Sequence, residues 1–220
     1  MEQHKLGQII NSDMKNKQKI LDKYNTEFAH KSPFEIISWV LSFADKPVVT
    51  TNFRPYEATI LHATTSALND ITIIWCDTGY NTPNTYKHAD ELITKLDLNI
   101  SLYVPKQTSA YRDVLMGIPT IDNPFHQLFT EQVKLEPFKR AMDEHKPDVW
   151  FTNLRKGQTA LRDSLDIFSF SKDGILKVSP FYHWTDKELD HYLKEHKLPN
   201  EFKYYDPTKA LANRECGLHS

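Results

Sequence analysis

Short runs rich in β-branched and apolar residues alternate along this chain with longer stretches of helical periodicity, and that alternation constrains the fold more than any other feature. Pro47-Val48-Val49-Thr50-Thr51, Ile71-Thr72-Ile73-Ile74-Trp75-Cys76, Ile100 to Val104 and Val149-Trp150-Phe151-Thr152 read as buried strands. A further strand is expected within Gly174 to Val178, with Ile167 to Ser171 before it. Helical patterns over Tyr56 to Leu68 and Asn84 to Leu96 fill the intervals. Strands that alternate with helices need crossover connections, so the pattern predicts an α/β fold: a doubly wound, mostly parallel sheet with helices on both faces.

Local signals punctuate this plan. Ser32-Pro33 with Glu35 reads as a helix start, with a capping hydroxyl, proline in the first turn and an acid near the positive end. Its apolar face, Phe34, Ile37, Val40 and Leu41, is expected to end near Asp45. Thr185 with Glu188 has the spacing of a capping box opening a helix to His196. Three units are expected: an N-terminal helical segment over 1–31, an α/β domain over 32–205, and a mobile C-terminal tail over 206–220. Residues 105–147 carry prolines at 105, 119, 124, 137 and 147 and read as one long functional loop.

Composition narrows the function. A formal net charge of −2 supplies no global basic field for nucleic acid. No apolar run approaches the roughly 20 residues that span a bilayer, and the N-terminus, with Lys15, Lys17 and Lys19 among polar residues, lacks a signal-type apolar stretch. Two cysteines cannot supply a four-thiolate metal or iron–sulfur site, so no cluster or metal is expected and a reducing, cytoplasmic setting follows.

Ligands of doubly wound sheets bind beyond the carboxyl ends of the strands, and three such ends hold suggestive residues. Thr50, Thr51, Asn52, Phe53 and Arg54 lead from a strand into a helix, where hydroxyls, backbone N–H groups and a guanidinium can hold an anion; a plain βα turn with capping hydroxyls uses the same residues. Asp77, Thr78 and Gly79 offer a carboxylate, a hydroxyl and a tight turn to a ribose or adenine, although turn chemistry alone accounts for them equally. Arg155, Lys156, Gln158 and Arg162 form a dense cationic stretch suited to phosphate or sulfate oxygens, or else a solvated surface run. Lys134 adds a cation from the proline-rich region. Cys76 reads as a small core residue.

The last informative element is Arg214-Glu215-Cys216-Gly217-Leu218-His219. A thiol near a terminus, between a guanidinium and an imidazole, is placed to react as thiolate, although a lone terminal cysteine is also commonly incidental. Together with Asp77-Thr78-Gly79-Tyr80, Lys134-Leu135-Glu136-Pro137, Leu154 to Arg162 and Lys177-Val178-Ser179-Pro180 followed by Trp184, this element resembles the phosphoadenylyl-sulfate (PAPS) reductase family of the PP-loop, adenine nucleotide alpha-hydrolase-like superfamily.

The resemblance implies that PAPS is the substrate. Thr50 to Arg54, Asp77, Thr78, Gly79, Lys134, Arg155, Lys156, Gln158, Arg162, Arg214 and His219 would bind it, and Cys216 would be the nucleophile. It also implies thioredoxin or glutaredoxin as electron donor, no iron–sulfur cluster and a homodimer, without nucleic acid or membrane as partner. Two features depart from the family: the segment Thr50 to Pro55 has no glycine, and the stretch between Tyr205-Asp206 and Arg214 is short. Two other readings stand beside this one. A PP-loop ATP pyrophosphatase or adenylating enzyme would need a Ser-Gly-Gly-x-Asp-Ser type of loop, which the chain lacks; a non-catalytic adenine-nucleotide-binding protein would have no use for Cys216.

Overall fold

The computed structural model describes residues 14–120 and 122–209. The expectations placed on Arg214, Cys216 and His219, and on most of the C-terminal tail, lie outside the described residues.

Helix α1 (Met14–Phe28) and helix α2 (Pro33–Leu41) precede the first strand. The α2 start is the expected capping box: the Ser32 hydroxyl accepts from the Glu35 N–H while the Glu35 carboxylate accepts from the Ser32 N–H. The helix itself stops at Leu41, ahead of the expected end near Asp45. Strand β1 (Pro47–Thr51), helix α3 (Glu57–Ala67), strand β2 (Thr72–Cys76), helix α4 (Pro83–Leu96) and strand β3 (Ile100–Tyr103) follow. Helix α3 begins one residue later than its periodicity suggests, because Tyr56 takes a left-handed conformation with φ 68°.

Residues 105–147 are not the long loop that their prolines suggest. They contain helix α5 (Ser109–Leu115), helix α6 (His126–Thr130), a π-helical turn (Glu131–Leu135) and helix α7 (Glu136–His145). Pro137 lies in the first turn of α7, where its missing N–H has no helical partner to lose. The chain closes with strand β4 (Val149–Phe151), helix α8 (Ala160–Asp163), strands β5 (Phe168–Phe170) and β6 (Leu176–Val178), and helix α9 (Asp186–Glu195), which opens on the Thr185–Glu188 capping box.

The six strands form one sheet in the order β3-β2-β1-β4-β6-β5, parallel throughout except for the antiparallel pairing of β5 with β6. Alternate strand residues point to opposite faces. Val49, Ile73 and Phe151 face a large core shared with Leu21, Tyr24 and Phe28 of α1 and with residues of α2, α3, α4 and α9. Val48, Ile74 and Trp150 face a smaller core closed by Phe138, Ala141 and Met142 of α7. The N-terminal segment therefore packs into the core of the α/β unit. The Asn25 side-chain amide even extends the sheet by bonding the Phe168 N–H (2.8 Å) and C=O (3.0 Å).

Strand order reverses between β1 and β4: the chain winds outward through β2 and β3, then returns to the other side of β1. That switch point opens a crevice beyond the carboxyl ends of the two strands. No helix among the described residues is long and apolar enough to cross a membrane.

Candidate active-site cleft

A cleft open to solvent occupies the switch point. Thr50 and Thr51 of β1 with Asn52 just after it, Ile74 and Cys76 of β2, and Trp150 of β4 with Thr152 to Leu154 just after it line the cleft. Lys134 and Phe138 line it from the helical region after β3, and Tyr204 to Pro207 with Lys209 complete its wall. Of the residues expected at the site, Thr50, Thr51, Asn52, Arg54, Thr78, Lys134 and Arg162 meet here.

The β1–α3 loop is held from within. The Glu57 carboxylate, buried at the start of α3, accepts from the Thr51 hydroxyl (2.8 Å), the Asn52 N–H (2.8 Å), the Arg54 N–H (3.4 Å) and Arg54 Nε (2.8 Å). Phe53 donates its own N–H to Thr51 Oγ1. Its ring is wholly buried, edge-on to Trp75, so Phe53 supports the loop from the core and does not line the cleft. Arg54 also reaches the Asn153 carbonyl through Nη2, tying the ends of β1 and β4 together. Thr50 accepts from Trp150 Nε1 (2.9 Å), and Asn52 donates to the Tyr204 hydroxyl (3.1 Å).

Lys134 lies in the π-helical turn with its side chain only 6% exposed. Its ammonium meets Asp206 Oδ2 at 2.5 Å and Thr208 Oγ1 at 3.4 Å. Asp206 is as deeply buried, and its other oxygen accepts from the Thr208 N–H and hydroxyl. Burial pushes the Asp206 carboxyl up, but the Lys134 charge and the hydrogen bonds from Lys134 and Thr208 outweigh it and hold the group below the usual carboxylate range.

The second cationic group divides. Arg162 is buried, lines the cleft and donates through Nη1 to Gln158 Oε1 (2.5 Å), while the Gln158 carboxamide also accepts from the Arg155 N–H. Gln158 thus positions Arg162. Arg155 turns elsewhere: it pairs with Asp186 at 2.6 Å and lies over the Tyr56 ring. Lys156 is exposed and outside the cleft lining.

The turn after β2 also splits. Thr78 faces the cleft, but Asp77 spends its acceptors on the turn, taking bonds from the Gly79 N–H, Asn81 Nδ2 and the Tyr86 hydroxyl. Gly79, at φ 79°, provides the left-handed turn residue. Cys76 is not the plain core residue that its strand suggests. It is half-buried on the cleft wall, and burial pushes its thiol up to about 12, a value that leaves it protonated and unreactive near neutral pH.

Glu57, Asn81, Asn153 and the segment Tyr204 to Lys209 are parts of the site that the sequence reading passed over. Glu57 looks like an ordinary first-turn acid, and the Tyr-Tyr-Asp-Pro run carries no periodicity that would bring it back to the sheet. Among the described residues no group of three or more His, Cys, Asp or Glu side chains is placed to hold a metal ion.

The model of the phosphoadenosine phosphosulfate reductase domain matches residues 46–205. A phosphoadenosine 5′-phosphosulfate reductase of Xylella fastidiosa (strain M23) is 34% identical over 186 residues, covering 81% of this chain and 76% of its own. The enzyme of that name from Vibrio atlanticus (strain LGP32) is 32% identical over 228 residues, with coverage of 90% and 86%. In structure the chain is similar to a phosphoadenylyl-sulfate reductase from Candida auris crystallised with phosphate, at a TM-score of 0.73 and 24% identity, covering 83% of this chain and 88% of that one. The FMN adenylyltransferase of Candida glabrata shares the fold more distantly, at a TM-score of 0.55 and 9% identity over 76% of this chain and 56% of its own.

Proposed function

The chain belongs to the phosphoadenosine phosphosulfate reductase family, and from that premise we propose that it reduces 3′-phosphoadenylyl sulfate to sulfite and adenosine 3′,5′-bisphosphate. The observation that carries the reading to these residues is the make-up of the cleft wall. Tyr204 to Pro207 and Lys209, which line the cleft, lead on along the chain to Cys216. Six residues lie between Lys209 and Cys216, so seven Cα-to-Cα steps of at most about 25 Å in all tether that thiol within reach of a ligand in the cleft.

In the first half-reaction the Cys216 thiolate attacks the sulfur of the bound sulfonyl group. A sulfur–sulfur bond forms, the bond from that sulfur to the bridging phosphate oxygen breaks, and adenosine 3′,5′-bisphosphate leaves with the electron pair. Negative charge grows on the leaving phosphate, where Lys134, Arg162 and Lys209 offer cations and Thr50 and Thr78 offer hydroxyls. Arg214 and His219 flank the nucleophile in sequence, and their role is to favour its thiolate and contact the substrate's anionic groups.

In the second half-reaction a thiolate of reduced thioredoxin or glutaredoxin attacks Cys216 Sγ and expels sulfite, leaving a mixed disulfide. The donor's second thiol then resolves it, so the dithiol is oxidised by two electrons and the Cys216 thiol is restored. Arg155, Lys156 and Asp77 act in this scheme as supports of the cleft's rim and turn. The acting form is a homodimer, a reading supported by exposed apolar side chains on β3 and α5, with Leu102 54%, Val114 84% and Leu115 57% exposed.

Sulfite release from PAPS with reduced thioredoxin tests the proposal. The wild-type chain should release sulfite and Cys216→Ser none; pyrophosphate release from ATP in place of sulfite from PAPS would overturn it.

A further inference from the structure

The β1–α3 loop already holds an anion, and it belongs to the protein. A loop running from a strand into a helix ordinarily directs its free N–H groups and the positive end of the helix toward a ligand's oxyanion. Here those donors are taken. The Asn52 and Arg54 N–H groups and the Thr51 hydroxyl all point at one carboxylate, that of Glu57. The Phe53 N–H goes to Thr51 Oγ1 and the Tyr56 N–H to Asn200 Oδ1. The Arg54 guanidinium completes the set through Nε at 2.8 Å. Glu57 is 4% exposed yet lines the cleft, so the residue that takes up the loop donors is also part of the wall that a ligand meets.

We infer that Glu57 is a built-in counter-anion that determines which anions the cleft accepts: it occupies the oxyanion position of the loop, bars a diphosphate from it, and confines ligand oxyanions to the part of the cleft that carries Lys134 and Arg162. A diphosphate bridging the two regions would bring its charge against a carboxylate that has no room to turn away, since both of its oxygens are engaged. A phosphosulfate, whose two linked groups carry one negative charge fewer than a terminal diphosphate, meets less of this repulsion. The inference uses the proposed function only to locate the nucleotide, because the exclusion follows from the loop itself.

Binding of inorganic pyrophosphate to the full chain, followed by calorimetric titration, tests this. Glu57→Ala uncovers the loop donors, including Arg54 Nε, and should tighten pyrophosphate binding by at least about tenfold, as expected for one or two hydrogen bonds to a charged group. Glu57→Gln keeps the shape and an acceptor but removes the charge, and should tighten binding by a smaller factor. If the alanine variant does not fold, the glutamine variant decides the matter. Unchanged or weaker pyrophosphate binding in a folded variant would overturn the inference and leave Glu57 a structural cap. Adenosine 3′,5′-bisphosphate titrated into the wild-type chain separates the two ideas. Its failure to bind would sink the proposed function while leaving the pyrophosphate comparison intact.

Discussion

Replacing Lys134 by methionine keeps the length and the apolar stem of the side chain and removes only the ammonium. Asp206 is then left as a buried carboxylate with the Thr208 N–H and hydroxyl as its remaining donors. Breaking a buried ion pair from one side costs about 3–5 kcal/mol; with two donors retained, the lower end, about 3 kcal/mol, is expected. For a domain of this size that corresponds to a fall in Tm of roughly 6–12 °C.

The pH dependence gives the argument a sign. In the wild-type chain the Asp206 pKa is held below the usual carboxylate range, so its contribution to stability is present above that range and is lost as pH falls through the folded-state pKa. Without Lys134 only burial and the Thr208 bonds remain, and burial raises the group. The folded variant then takes up a proton that the unfolded chain releases, and its stability falls as pH rises. The deficit relative to wild type should therefore narrow between pH 8 and pH 5. Urea denaturation across that range, with Asp206→Asn and the double variant closing a thermodynamic cycle, measures it. A coupling energy below about 0.5 kcal/mol, or a deficit that widens toward acid pH, would refute the reasoning.

Two further outcomes follow from exposure and chemistry. Iodoacetamide at pH 7.5 should label Cys216 well before Cys76, whose thiol is pushed up to about 12 on the cleft wall; peptide mapping that finds equal rates would contradict the assignment of Cys76 as inert. Val114→Asp, at a position 84% exposed on α5, should convert the proposed dimer to a monomer in sedimentation velocity with little change in Tm, whereas a wild-type monomer or an unchanged dimer would contradict an interface there.

Much of the architecture was legible because it rests on local chemistry. The strands at Val48-Val49 and Ile73-Ile74 and the Ser32–Glu35 and Thr185–Glu188 capping boxes each follow from a few adjacent residues. Prolines make residues 105–147 look like a loop, but Pro137 stands in the first helical turn, where it is tolerated. The site was harder still. Whether Arg54 meets a ligand or Glu57, whether Arg162 or Arg155 faces the cleft, and whether Lys134 is paired are matters of tertiary approach, settled by contacts as distant in sequence as Lys134 with Asp206 and Asn52 with Tyr204. Cys76 shows the same limit: periodicity places it in a strand, but only the switch in strand order puts that strand end on a cleft.

The central claim concerns a covalent intermediate, and mass spectrometry reads it directly. Purified chain with reduced Cys216, mixed with saturating PAPS in the absence of any dithiol, should acquire a single SO3 group on Cys216 and lose it as sulfite when thioredoxin is added. A Cys216 thiol that stays unmodified under those conditions, with the nucleotide bound, would contradict the account.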